Sequence, residues 1–205
     1  MENLSPDHIN DPSLWCKNAI PHECGHALVG WALKLPVTGI YLSVFSIEGQ
    51  QQPGIHAHVH MGDEQELNQE PKDLDPTANH EAVTQMTMYH KLVNVVGAAA
   101  GCAGSAFFNC SLAGEETDDL KVLRGLGFEQ ELNFFVPVAA EIIRENSYEF
   151  NRVVKLVEPR FYSAFQTAPL GNHILISKSE LQGIIGAPGK SESILKRWAA
   201  KQRLI

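Results

Sequence analysis

Apolar positions recur along this chain in two periods, and each change of period marks a boundary between elements. Asp11-Pro12-Ser13 starts the first run: aspartate suits a helix cap, and proline suits the first helical position. Helical spacing then carries through Ala27, Leu28, Val29, Trp31, Ala32 and Leu33 until Pro36 ends it. Pro21 interrupts that run, because a proline inside a helix has no N–H to donate and collides with the preceding turn. Either the helix kinks at Pro21 or a second helix begins there.

Residues 39–47 change to a β-rich composition, and a turn over 48–54 leads into 55–60, where histidines alternate with Ile55, Ala57 and Val59. The pair predicts a hairpin or two adjacent strands. Helical spacing resumes near His80 and continues through Met88, Leu92 and Val96 into a run of small residues. Residues 114–120 form a polar turn that opens another helix, with acids suited to its positive end. The segment 132–157 reads as mostly helical with a break near Pro137. Phe150, Val153, Val154 and Val157 recur there at helical spacing. Residues 174–185 read as a strand or loop running into a helix, and Pro188-Gly189 sets off a last helix over 191–205. The pattern predicts a mainly α fold with a small β-hairpin or sheet.

Composition narrows the class. A chain of 205 residues, 44% hydrophobic, can bury one sizeable core with a small appended lobe. A net charge of −8 argues against a general nucleic-acid binder, which carries a basic footprint. Cys16, Cys24, Cys102 and Cys110 form no CxxC pair, so they read as reduced thiols rather than a disulfide framework. Residues 62–79 are acidic, contain Pro71 and Pro76, and predict a surface loop. The uncharged stretch 92–114 is long enough to span a bilayer. Its glycines and alanines, with Asn94, Ser105, Asn109 and Ser111, fit a closely packed buried helix better. With no apolar leader core near the N-terminus, the expectation is a soluble, cytoplasmic protein.

The candidate chemistry sits in Pro21-His22-Glu23-Cys24-Gly25-His26-Ala27-Leu28, which contains HExxH. Histidines four apart on a helix stand about 40° apart around the axis and one turn apart along it, so both imidazoles can reach one metal ion. Glu23 then lies beside the metal, where it can hold a water without being a ligand. Cys24 points away from the histidine face and reads as a small packing residue. A catalytic zinc takes three protein ligands and keeps a position for water. The third ligand is not set by this motif. The metzincin continuation HExxHxxGxxH is excluded, because Val29 and Ala32 stand at its glycine and last histidine. A downstream glutamate on a second helix would make a thermolysin-like site, but no glutamate stands in a distinctive context, and the carboxylate cluster at Asp118 and Asp119 is more telling.

Two further patterns stand apart from that motif. His56, His58 and His60 face one side of a strand, either as a second metal site or as a polar face. The outer two are about 13 Å apart at the backbone, too far for one ion to take all three easily. His80, His90 and His173 read as ordinary surface or core histidines. The last helix is basic (Lys190, Lys196, Arg197, Lys201, Arg203), with Ile194, Leu195, Trp198 and Ile205 on roughly one face. It can lie on a membrane or dock a partner, but packing on its own acidic domain is the expected outcome.

His22-Glu23-Cys24-Gly25-His26-Ala27 and the later Thr117-Asp118-Asp119-Leu120-Lys121-Val122-Leu123, with a strand pair and a small-residue helix between, resemble the zinc metallopeptidase domain of the FtsH family. The resemblance covers about residues 15–186, and the first motif is its strongest part. It implies an FtsH-peptidase-like helical zincin domain over 14–186, after an N-terminal segment 1–13 and before a basic C-terminal helix 187–205. It implies Zn2+ held by His22, His26 and Asp119, with Glu23 as the catalytic base. Asp119 matches the family's aspartate, and Asp118 stands where the family has asparagine. The implied activity is endopeptidase cleavage of flexible or unfolded polypeptides, with the edge of residues 55–60 positioning an extended substrate. The alternative is a non-catalytic relative serving as an interaction or assembly subunit. A homo-oligomer or a separate partner protein stays open. Gly186-Ala187-Pro188-Gly189-Lys190-Ser191 is not a phosphate-binding loop, because the first glycine of GxxxxGK[ST] falls at Ile184, so no ATP is expected to bind.

Overall fold

Helix α1 (Pro12–Ala32) runs without interruption through Pro21, so the two histidines sit in the second half of one long helix. The computed structural model describes residues 12–46, 54–62, 86–108, 116–128, 131–167 and 169–205. The expected acidic loop over 62–79 lies almost wholly outside them. Ile20, Cys24, Ala27, Leu28, Val29 and Ala32 of α1 are all buried. A helix buried on every side needs neighbours all round, and α1 finds them in helices and in the sheet.

The end of α1 is set before Pro36 is reached. Lys34 takes the left-handed conformation at φ 66°. The amides of Lys34 and Leu35 turn back to the carbonyls of Trp31 (3.1 Å) and Gly30 (2.8 Å). These two bonds form a Schellman turn, which satisfies carbonyls that a helix end leaves open. Gly189 and Ser191 donate their amides to Trp31 and Ala32, and the Trp31 indole donates to the Gly186 carbonyl at 2.8 Å. The C-terminal region is thereby tied to the end of the histidine helix.

Strands β1 (Val37–Phe45) and β2 (Gly54–Met61) pair antiparallel, with Tyr41 opposite His58 and Ser43 opposite His56. A third strand, β3 (Gly171–Ser177), pairs antiparallel with the other side of β1, giving the order β2-β1-β3. The hairpin is therefore two-thirds of a sheet whose last strand comes from more than a hundred residues away. Ile40, Leu42, Val44, Ala57 and Ile176 are buried on the core side.

Helix α2 (Met88–Phe107) begins later than the sequence pattern suggests. Thr87 stands in extended backbone as its cap and accepts the His90 amide through Oγ1 at 3.3 Å, so no continuous helix runs from His80 through Met88. Residues 80–85 are outside the described ones. The small residues of α2 let it lie against α1 with backbones in contact. A Cβ on Gly25 would overlap the Ala100 carbonyl, and one on Gly104 would overlap the Pro21 carbonyl.

Helix α3 (Glu116–Gly125) follows, then a short 3-10 turn (Leu132–Phe134), α4 (Val136–Glu145) and α5 (Ser147–Thr167). Helix is interrupted twice in this region, at Phe135 next to Pro137, where the 3-10 turn gives way to α4, and again at Asn146. Pro137 sits in the first turn of α4, where a missing N–H costs nothing. Asn146 leaves the helix at φ −119° and uses its side-chain amide to cap the Ile142 carbonyl at 2.7 Å. Helix α6 (Lys178–Ile185) starts with a reciprocal capping box between Ser177 and Glu180. Helix α7 (Glu192–Lys201) buries Ile194, Leu195 and Ala199 and sets Trp198 against Phe134 and Phe135. Its apolar face is spent on the chain's own core. Among the described residues, no helix is long and apolar enough to cross a membrane.

Candidate metal centre

The α1–α2 crossing brings His22 and His26 under the small-residue face of α2, and α3 carries Asp119 to the same point. The two Nε2 atoms are 3.0 Å apart. Asp119 places Oδ2 3.6 Å from His22 Nε2 and Oδ1 3.6 Å from His26 Nε2. Ligand atoms at about 2.0–2.1 Å from a tetrahedral zinc stand about 3.3–3.4 Å from one another. The three observed separations straddle that edge. Among the described residues, this is the group of three ligating side chains able to share one metal ion. The side chain of Asp118 lies outside the described residues.

Protonation suits a cation here. His26 Nδ1 lies 2.8 Å from the Gly97 carbonyl, which can only accept, so the proton of neutral His26 belongs on Nδ1 and the Nε2 lone pair faces His22 and Asp119. His22 is 4% exposed, and burial, with His26 second, lowers its pKa to about 3. It is neutral at physiological pH, as a metal ligand must be. Its Nδ1 is buried with no hydrogen-bond partner among the described residues. An electron-rich carboxylate and imidazole nitrogens converging in a buried place are costly unless a cation balances them.

Gly101 leaves the point between the two histidines open. A Cβ at this position would overlap Nε2 of both His22 and His26. The space between the ligand atoms exists because residue 101 has no side chain. Gly97, Gly101 and Gly104 recur at i, i+4 and i+7, so one face of α2 supplies the carbonyl that orients His26, the open space and the close helix contact. The sequence marks this run as a closely packed helix but not as part of the site. The signal was the helical spacing of its glycines opposite a histidine pair.

Glu23 follows His22 on α1, about 60° around the axis from His26 by helical geometry. It is 9% exposed. Cys24 is fully buried, and burial, then the Glu23 charge, pushes its thiol well above the usual range, so it packs rather than reacts. His56, His58 and His60 are on β2 and do not join this group. His90 lies in the first turn of α2 with its ring Nδ1 3.0 Å from the Thr87 hydroxyl, and His173 Nε2 lies 2.7 Å from the Pro169 carbonyl. Comparison with protein-family models, with curated proteins and with solved structures gives no match to this chain.

Proposed function

We propose that the chain is a zinc-dependent endopeptidase with a fold of the FtsH-peptidase kind. The observation that supports this most is the convergence of His22 Nε2, His26 Nε2 and the Asp119 carboxylate on a space that Gly101 leaves open. Bound there, zinc would lower the pKa of a water to about 7 and polarise a substrate carbonyl. The two histidines and Asp119 are the residues that would hold the ion, three ligands being the number a catalytic zinc takes. Glu23 accepts the proton of the attacking water and hands it to the departing amine. A carboxylate held next to a cation is suited to both transfers. An extended substrate can add to an outer strand of the sheet, where backbone hydrogen bonds fix its register. Among the described residues, β2 and β3 are the outer strands.

The purified chain should cleave an unfolded polypeptide such as casein, lose that activity when a chelator strips the zinc, and regain it when zinc returns. No cleavage at a full complement of zinc would favour the non-catalytic reading, in which the same centre staples α1 to α3.

A further inference from the structure

A second set of imidazoles lies on β2, away from the buried group. Strand alternation puts His56, His58 and His60 on one face, and the structure then divides the three. The His56 and His58 rings stack with centroids 5.6 Å apart and planes 17° apart. His60 is turned edge-on to Tyr41 at 6.1 Å. Tyr41 also stacks against His58 at 5.9 Å.

We propose that His56 and His58 form a two-imidazole chelate for a borderline divalent transition-metal ion, with water completing its shell. Imidazole favours copper, nickel and zinc, and the divalent series places Cu2+ highest. The proposal does not rest on the peptidase reading, because it shares no residue with that site.

A chain of hydrogen bonds across all three strands prepares His58. The Ser43 hydroxyl donates to Asn172 Oδ1 at 2.5 Å, so its oxygen is left to accept. His58 Nδ1 lies 3.5 Å from that oxygen. A proton on Nδ1 leaves Nε2 as the lone pair, the same device by which outer partners orient metal-binding histidines. Burial first, then the charges of His56 and His60, lower the His58 pKa to about 4, against a hydrogen bond with the His56 backbone that acts the other way. His56 is exposed, and its ring lies beside that of His58 on the same face, where each could give one nitrogen to an ion. His60, engaged with Tyr41, is left out of the pair.

The test counts bound Cu2+ in the full chain and reads the number of coordinating nitrogens by electron paramagnetic resonance. His56→Ala changes an exposed side chain and should fold normally. It should lose one copper equivalent and the part of the two-nitrogen signal that goes with it, while ions held by the buried group, with their own two nitrogens, cancel in the comparison. His60→Ala should keep both, and Ser43→Ala should weaken that equivalent by about 10–100-fold, the usual cost of losing an outer partner. Equal copper in His56→Ala and the parent would overturn the proposal. So would equal losses in His56→Ala and His60→Ala.

Discussion

At the scale of single residues, the proposed metal centre depends as much on what is missing at Gly101 as on what is present at His22, His26 and Asp119. In Gly101→Ala the added methyl takes the place where the two Nε2 atoms converge. Zinc affinity should fall by about 10–100-fold or more, the scale seen when ligand positioning is lost. The overlap is with side-chain ends, so the variant should still fold, which a circular dichroism melt would check. Unchanged zinc affinity would show that the ion does not sit there. Glu23→Gln preserves shape but cannot accept a proton. It should keep zinc and lose about 10²–10⁴-fold in kcat, the range assigned to a general base. A turnover number equal to the parent's would remove Glu23 from the mechanism.

At the scale of elements, two contacts set the position of the site. The α1–α2 crossing is backbone against backbone at Gly25 and Gly104. Gly25→Ala has no flexible neighbour to displace and should cost about 3 kcal/mol or more, the upper end of overpacking penalties. A denaturant midpoint close to the parent's would contradict that packing. The sheet carries a pH dependence. His58 has its pKa lowered to about 4 in the fold and returns to about 6.5 when unfolded. Below pH 6.5 the unfolded chain binds the extra proton. The stability this ring contributes is thus complete above about pH 6.5 and is lost as pH falls towards about 4. In chelator, His58→Gln should flatten this part of the stability curve, and parallel curves for the two proteins would dismiss the effect. HExxH was legible because its spacing is local to one helix, β1 because its composition is β-rich, and β2 because its histidines alternate with apolar residues. The pairing of β3 with β1 was not, because an edge strand with Asn172 and His173 carries no mark of a partner so distant in sequence. The helix break at Asn146 was missed for a different reason. Pro137 is the stronger signal in isolation and marks the break where α4 begins, whereas asparagine at 146 carries a weaker one.

At the scale of the whole molecule, α1 is the axis: α2 closes over its histidines, α3 delivers Asp119, and the loop before α7 caps its end. A buried centre of this kind reaches only a substrate segment that is extended, and a stable domain exposes such segments through opening that costs about 5–15 kcal/mol when global. The chain should therefore cleave a destabilised mutant of a tagged substrate much faster than the stable parent, and ATP should change neither rate. Equal rates for the two substrates, or acceleration by ATP, would contradict this. The central claim is tested most directly by the zinc content of the purified chain beside that of Asp119→Ala, both dialysed to remove weakly held ions. The account predicts one zinc per chain in the parent and its loss in the variant. A parent that holds no zinc, or a variant that holds it as tightly, would contradict the assignment.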